Sequence, residues 1–255
     1  MKNRILLIAI LVLLPTLCWG QGKFYTRKMR LEGYFNKTTK VVLPGKVVLD
    51  SELQTAVTSQ WRATPYEFCT EEEYENLKGR SQYFFLRVVE KSRNQDTPGI
   101  YYLSMSKGGP DNQYELESAF DVIDFPFAAS GQAMFSPLEL AILPALLDIA
   151  QQYLADASQS VKVADAALKS YGSKPELRKY GVTKVVTDEE EAVSMLENFA
   201  PQAAVALIVG PKDADPSAVY YHMVIGTDNH KLYSVAARKG ESEFTAAELK
   251  MFSNL

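Results

Sequence analysis

The sequence predicts an α/β fold with mixed sheets (alternatively α+β), in which two α-β-α-β-β pseudo-repeats pack with a central apolar helix. Three observations predict it. First, "WRATPYEFCTEEEYENL" (Trp61–Leu77) and "YGVTKVVTDEEEAVSML" (Tyr180–Leu196) share one order: an aromatic residue, a short apolar run, Thr, an acid block, then an apolar-periodic stretch. Second, each leads into a strand-like run, a polar loop and another strand-like run opening on a tyrosine pair, "IYY" at Ile100 and "VYY" at Val219. The offset is 117 residues between Thr70 and Thr187 and 119 between Tyr101 and Tyr220, a match that points to duplication. Third, "SPLELAILPALLDIAQQYLAD" (Ser136–Asp156) is apolar on nearly every side, as a buried helix is.

Residues 1–20 read as a secretory signal peptide: "MKNR" is a basic start, "ILLIAILVLLPTL" an apolar core too short to span a bilayer, and "CWG" a cleavage end. The lipoprotein alternative would use Cys18, but Leu17 stands where a lipobox wants a small residue. The expected location is therefore exported, periplasmic or extracellular, and no membrane span is expected after the leader. Residues 21–130 are expected to hold the first repeat with its N-terminal strands, and residues 131–255 the apolar helix and the second repeat. Removing residues 1–20 takes away Lys2 and Arg4 and moves the net charge from −4 to about −6. With no basic cluster, that balance argues against nucleic acid and anionic membrane surfaces as partners.

Along the chain, "MRLEGYF" (Met29–Phe35) and "KVVL" (Lys40–Leu43) read as strands, with a turn at "PGK". Leu53, Ala56, Val57 and Trp61 recur at helical spacing behind a cap at Asp50 or Ser51. "TPYEFC" is a strand. Thr70 then starts a helix as N-cap, with Glu73 reaching back in a capping box and Glu71 and Glu72 beside the positive end of the helix dipole. Thr187 and Glu190 are expected to repeat this, and Ser136 and Glu139 to form a third box with Pro137 in the first turn. Pro144 should kink or split the apolar helix. Strands are expected at Gln82–Glu90, Ile100–Ser106, Ala203–Gly210 and Val219–Gly226, with "VKVAD" (Val161–Asp165) a further strand and "KPELRKY" (Lys174–Tyr180) a short helix. "VIGTDNHKLYSVAA" is a hairpin with its turn at Thr227–His230, and Thr245 caps a last helix. The strand–loop–strand units should be antiparallel and the strand–helix–strand passages parallel.

Chemistry-bearing groups are few. The chain lacks G-x-S-x-G, H-E-x-x-H, a Walker-type loop and G-x-G-x-x-G, and "KGGPDN" (Lys107–Asn112) reads as a turn. Cys69, the one cysteine left after cleavage, sits in an alternating run and reads as a buried hydrophobe. His222 reads as a sheet residue and His230 as a solvated turn residue. With Asp228 they make an incomplete metal set, since zinc takes three or four protein ligands. Ser130 has no local signature of a triad nucleophile. Asp121 and Asp124 read as a solvated pair. The acid blocks are explained as helix starts, so no catalytic, cofactor-binding or metal residue is assigned and no cofactor is expected.

Three stretches carry a resemblance: "WRATPYE" (Trp61–Glu67) before a capped helix, "LPALLDIAQQYL" (Leu143–Leu154), and "ALIVGP" through "YYHMVIGTDNHKLY" in the second half. Together with their spacing they resemble a group of secreted Bacteroidota proteins without a known activity. The resemblance implies an exported or envelope protein and carries over no site residue. The expectation is a non-catalytic exported protein that binds another envelope protein or a ligand. The alternative is a hydrolase or isomerase using scattered carboxylates.

Overall fold

The structure, a computed structural model, describes residues 33–91, 99–109, 120–160 and 176–255. The fold is α/β, with two mixed sheets and helices on their faces. The first sheet has the order β2-β1-β3-β4-β5, from β1 (Thr38–Leu43), β2 (Tyr66–Thr70), β3 (Tyr83–Lys91), β4 (Ile100–Lys107) and β5 (Phe120–Ala129). Here β1 runs parallel to both β2 and β3, while β3, β4 and β5 form antiparallel hairpins. The second sheet has the order β6-β7-β8-β9, from β6 (Lys184–Val186), β7 (Ala203–Val209), β8 (Val219–Gly226) and β9 (Leu232–Lys239). Its β6–β7 pair is parallel and the rest antiparallel.

Helix α1 (Val47–Gln60) begins earlier than the expected cap at Asp50 or Ser51. Gly45, at φ +75°, turns the chain directly into the helix. The extra turn adds Leu49 to the buried stripe of Leu53, Ala56 and Val57. Asp50 lies in the first turn, where the dipole favours its charge. Helix α2 (Glu71–Leu77) starts with the expected box: Thr70 Oγ1 accepts from the Glu73 amide at 3.1 Å, and the Thr70 amide donates to the Glu73 carboxylate at 2.8 Å. The apolar helix is split into α3 (Pro137–Ala141) and α4 (Leu143–Gln159). Pro144 sits in the first turn of α4, where its missing N–H costs no helical bond. The Ser136–Glu139 box opens α3 as expected.

Helix α5 (Glu189–Glu197) corrects the expected start. Its N-cap is Asp188, whose carboxylate accepts from the Glu191 amide at 2.9 Å; Thr187 and Glu190 do not form the cap pair. Asp caps a helix as well as Thr does, and here β6 ends at Val186, leaving Asp188 as the last extended residue. Helix α6 (Ala246–Ser253) carries a full box between Thr245 and Glu248. Tyr34 and Phe35, expected to end a strand, begin a 3-10 turn (Tyr34–Asn36) behind Gly33 at φ +70°, and the expected short helix is a 3-10 turn at Leu177–Tyr180. The rest of the first expected strand (residues 29–32), the expected strand at 161–165 and the start of the expected short helix (174–175) lie outside the described residues. β5 occupies a stretch that reads as mixed strand and turn, with no strand bounds expected. It is an edge strand interrupted by Pro126 and by two register shifts against β4, so it lacks the clean alternation of a strand.

One apolar cluster joins the two sheets. α1 packs on α4 and α3 on α5. The cluster takes Phe84, Leu86 and Met105 from the first sheet, Val205, Leu207 and Met223 from the second, and Leu143, Leu146 and Leu147 from α4. Each such leucine contributes about 1.5–3 kcal/mol by leaving water. A second cluster (Val42, Cys69, Tyr74, Phe85) lies under α2, and a third (Ala204, Ala206, Tyr233, Phe252) lies under α6. Pro137–Gln159 is long and apolar enough to cross a membrane by length and composition, a test that the core helix of a soluble protein also passes. Gly108 and Gly109 are required by close approach: a Cβ on either would collide with the Arg80 or Gly79 carbonyl.

Candidate functional site

The chemistry-bearing side chains gather in three places, and the densest is where α4 meets the β8–β9 turn. His230 is 6% exposed, a correction to its expected place in solvent. Its Nδ1 lies 2.6 Å from Asp148 Oδ2 on α4. Asp148 Oδ1 accepts from Gln151 Nε2 at 3.1 Å, and Gln151 Oε1 in turn accepts from the amides of Arg62 and Ala63 at 2.5 and 2.9 Å. A single chain of hydrogen bonds thus runs from the end of α1, through α4, to the second sheet.

The backbone around this pair is strained. Phe199, Gln202 and His230 have φ values of 49°, 57° and 50°, and they are the non-glycine residues with positive φ among the described residues. All three lie in two touching loops: the Phe199 ring sits 5.5 Å from the His230 ring, and Thr227 Oγ1 donates to the carbonyls of Ala200 and Ala203. A left-handed non-glycine residue costs about 1–3 kcal/mol, so neighbouring contacts must hold each in place. Nδ1 on a carboxylate orients an imidazole as a base would be oriented. Among the described residues, however, no hydroxyl or thiol is hydrogen-bonded to Nε2.

The second histidine is elsewhere. His222, 3% exposed, points from β8 to the opposite face and meets α6. Its Nδ1 lies 3.1 and 3.2 Å from the Glu248 carboxylate oxygens and its Nε2 lies 2.9 Å from the Glu241 carbonyl. Burial pushes the Glu248 carboxyl up. The Thr245 amide and hydroxyl, together with His222, outweigh it and hold the carboxyl below its usual value. The two histidines and Asp228 are not brought together: His222 serves α6, His230 serves α4, and Asp228 reaches the Gln202 amide at 3.5 Å.

The third place is the junction of the sheets. Tyr102 Oη donates to Tyr221 Oη at 3.1 Å, and burial pushes both phenols up. Asp124, expected in solvent, is 1% exposed and paired with Lys91 at 2.7 Å, because β5 turns it inward beside β4. The Asp121 side chain is outside the described part. Ser130 is buried at the end of β5, and its hydroxyl has no hydrogen-bond partner among the described residues. Cys69 is buried in the cluster under α2, as expected, and burial pushes its thiol up to about 11, far from the thiolate that a nucleophile needs.

The Thr70–Glu73 and Ser136–Glu139 boxes close helix ends, and Glu139 also accepts from the Ala129 amide at 3.0 Å, tying β5 to α3. One further feature escaped sequence reading: an open groove of about 520 Å³ beside the edge strand β2, lined by Gln54, Thr55, Thr58 and Ser59 of α1 and by Phe68. Its signal is the hydroxyl-rich outer face of α1, visible as T-x-x-T-S in "TAVTS". Comparison of the chain with protein-family models, with curated proteins and with solved structures returned no match.

Proposed function

We propose that the protein is an exported, non-catalytic binding protein that holds another envelope protein or a ligand in the periplasm or outside the cell. The leader at residues 1–20 supports export, and the two halves, each with a β-α-β-β core, support an origin by duplication. One observation carries the non-catalytic reading: the side chains most suited to chemistry already do structural work. His222 closes α6 onto the second sheet, His230 and Asp148 join α4 to a hairpin turn, and Cys69 is sealed beneath α2. No cofactor, nucleic-acid partner or membrane span is part of this reading.

The alternative, a hydrolase or isomerase using scattered carboxylates, rests on the oriented His230–Asp148 pair and its strained surroundings. One experiment separates the two. A deletion strain is complemented with the chain carrying His222→Asn, His230→Asn and Cys69→Ser, and the melting temperature of the purified variant is measured alongside. Retention of the wild-type phenotype supports the binding reading. Loss of the phenotype by a variant that melts like the parent points to the enzyme. Sequencing the mature N-terminus from the envelope fraction tests export, with Gln21 as the expected first residue.

A further inference from the structure

The β2 edge carries a more specific reading, one that rests on the binding function. β2 is the outermost strand of its sheet, and a strand edge exposes unpaired peptide groups that natural folds normally block. The register here identifies them. The Thr39 amide donates to the Pro65 carbonyl at 2.8 Å, and β1 pairs with β2 from Thr39↔Tyr66 to Leu43↔Thr70. Alternate residues of a strand address opposite neighbours, so the peptide groups of Glu67 and Cys69 face β1. Those of Tyr66 and Phe68 face outward, and no described residue pairs with them. The next outward amide, Thr70, is closed by Glu73. The open stretch is therefore short and defined at one end.

Side chains on the two faces of this edge differ. On the α1 side lies the groove, neutral and rich in hydroxyl and amide groups, with Phe68 36% exposed in it. A strand added beside β2 would place every second side chain there. On the α2 side Glu67, Glu72 and Glu73 are exposed; Glu67 is paired with Lys40, and Glu73 also closes the Thr70 amide. The remaining negative charge of Glu72 and Glu73 favours lysine or arginine on the incoming strand. It opposes a second copy of this chain, which would bring its own set against it. We infer that the β2 edge takes an extended, basic polypeptide segment of a partner protein as a sixth strand, with main-chain bonds at Tyr66 and Phe68 and alternate side chains in the α1 groove.

The probes are two short soluble peptides, one alternating valine and lysine and one alternating valine and glutamate, titrated by fluorescence anisotropy against the mature chain. The lysine peptide is expected to bind, more weakly as salt rises, and the glutamate peptide is not. Phe68→Pro removes an outward amide that no ladder bond uses, so the fold should persist while binding weakens about tenfold. Should that variant melt early, amide exchange in the unaltered protein decides: the lysine peptide should slow Tyr66 and Phe68 about tenfold. Equal binding by a well-folded Phe68→Pro, no binding of the lysine peptide, or unchanged exchange at both amides overturns the proposal. Slow exchange before any peptide is added also overturns it, identifying a second copy if it depends on protein concentration and the chain's own segments if it does not. A failed titration leaves the binding reading standing, and the complementation test tries that reading independently.

Discussion

Gln151→Leu should destabilise the protein by about 2 kcal/mol although it removes no charge and little volume. The amide of Gln151 accepts from the Arg62 and Ala63 N–H groups just beyond α1, and donates to the Gln60 carbonyl at 3.1 Å and to Asp148. The first three partners belong to the end of a helix and the residues that follow it, where backbone groups have no intrahelical partner. Each neutral bond contributes about 0.5–1.5 kcal/mol net. Water can replace the exposed Arg62 bond more easily than the part-buried ones, so the sum stays near the lower range. The assay is urea unfolding of the mature chain at constant m, with a fall of about 4–8 °C in melting temperature as the parallel reading. Gln152→Leu, one residue along, is the control: Gln152 is exposed and bonds Asp156 one turn on, and should change stability by under about 0.5 kcal/mol. Asp148→Asn combined with Gln151→Leu should be non-additive, because the two share a bond. If Gln151→Leu costs no more than its control, the bridge between α1 and α4 does not hold the halves together and the reasoning fails.

Three other outcomes follow from the geometry. Asp188→Ala should cost about 1 kcal/mol and Thr187→Ala much less, measured by chemical unfolding; the reverse ranking would restore Thr187 as the cap. Cys69 should resist alkylation at pH 8 in the folded protein and react once urea unfolds it, since its thiol is pushed up to about 11; rapid labelling of the native state would contradict its burial. The Glu248 carboxyl is held below its unfolded value of 4.5, so its contribution is fully present above that pH and lost as pH falls through the folded value. The protection of α6 amides, their exchange taken relative to the intrinsic rate at each pH, should therefore fall below about pH 4.5 in wild type, and Glu248→Gln should show no such step.

Local signals made most of the elements legible. Thr70 and Glu73, Ser136 and Glu139, and Thr245 each announce a helix start because capping is a contact between residues three apart. The same logic misplaced the start of α5 by one residue, since Thr187 and Asp188 are both good caps and β6 decides between them by where it ends. The extent of β5 was illegible because Pro126 and two register shifts break its alternation, and Asp124 is buried only through its sheet partners. His230 shows the limit most clearly. A histidine in a polar turn reads as solvated, and only the approach of Asp148, 82 positions earlier, makes it an interior residue. The groove is likewise a property of two elements, for neither the hydroxyl face of α1 nor Phe68 marks it alone.

The relation between the halves is where connectivity and packing part. α2 and α5 are equivalent in order, each following a strand and leading into the first of three strands joined in antiparallel succession. Yet Tyr74 of α2 lies in the small cluster with Cys69 and Phe85, while Ala192 and Leu196 of α5 lie in the cluster the sheets share. On the shared side of the first sheet stands α1 instead. β1 also separates β2 from β3, whereas β6 pairs with β7 directly. Two copies related by a two-fold axis would bury the same face of each. Burying opposite faces puts Ala192 and Leu196 of α5 in the shared cluster, while α2 packs over the other face of the first sheet. Among the described residues, this asymmetric packing leaves β2, with the α1 groove beside it, as an outermost strand of the first sheet.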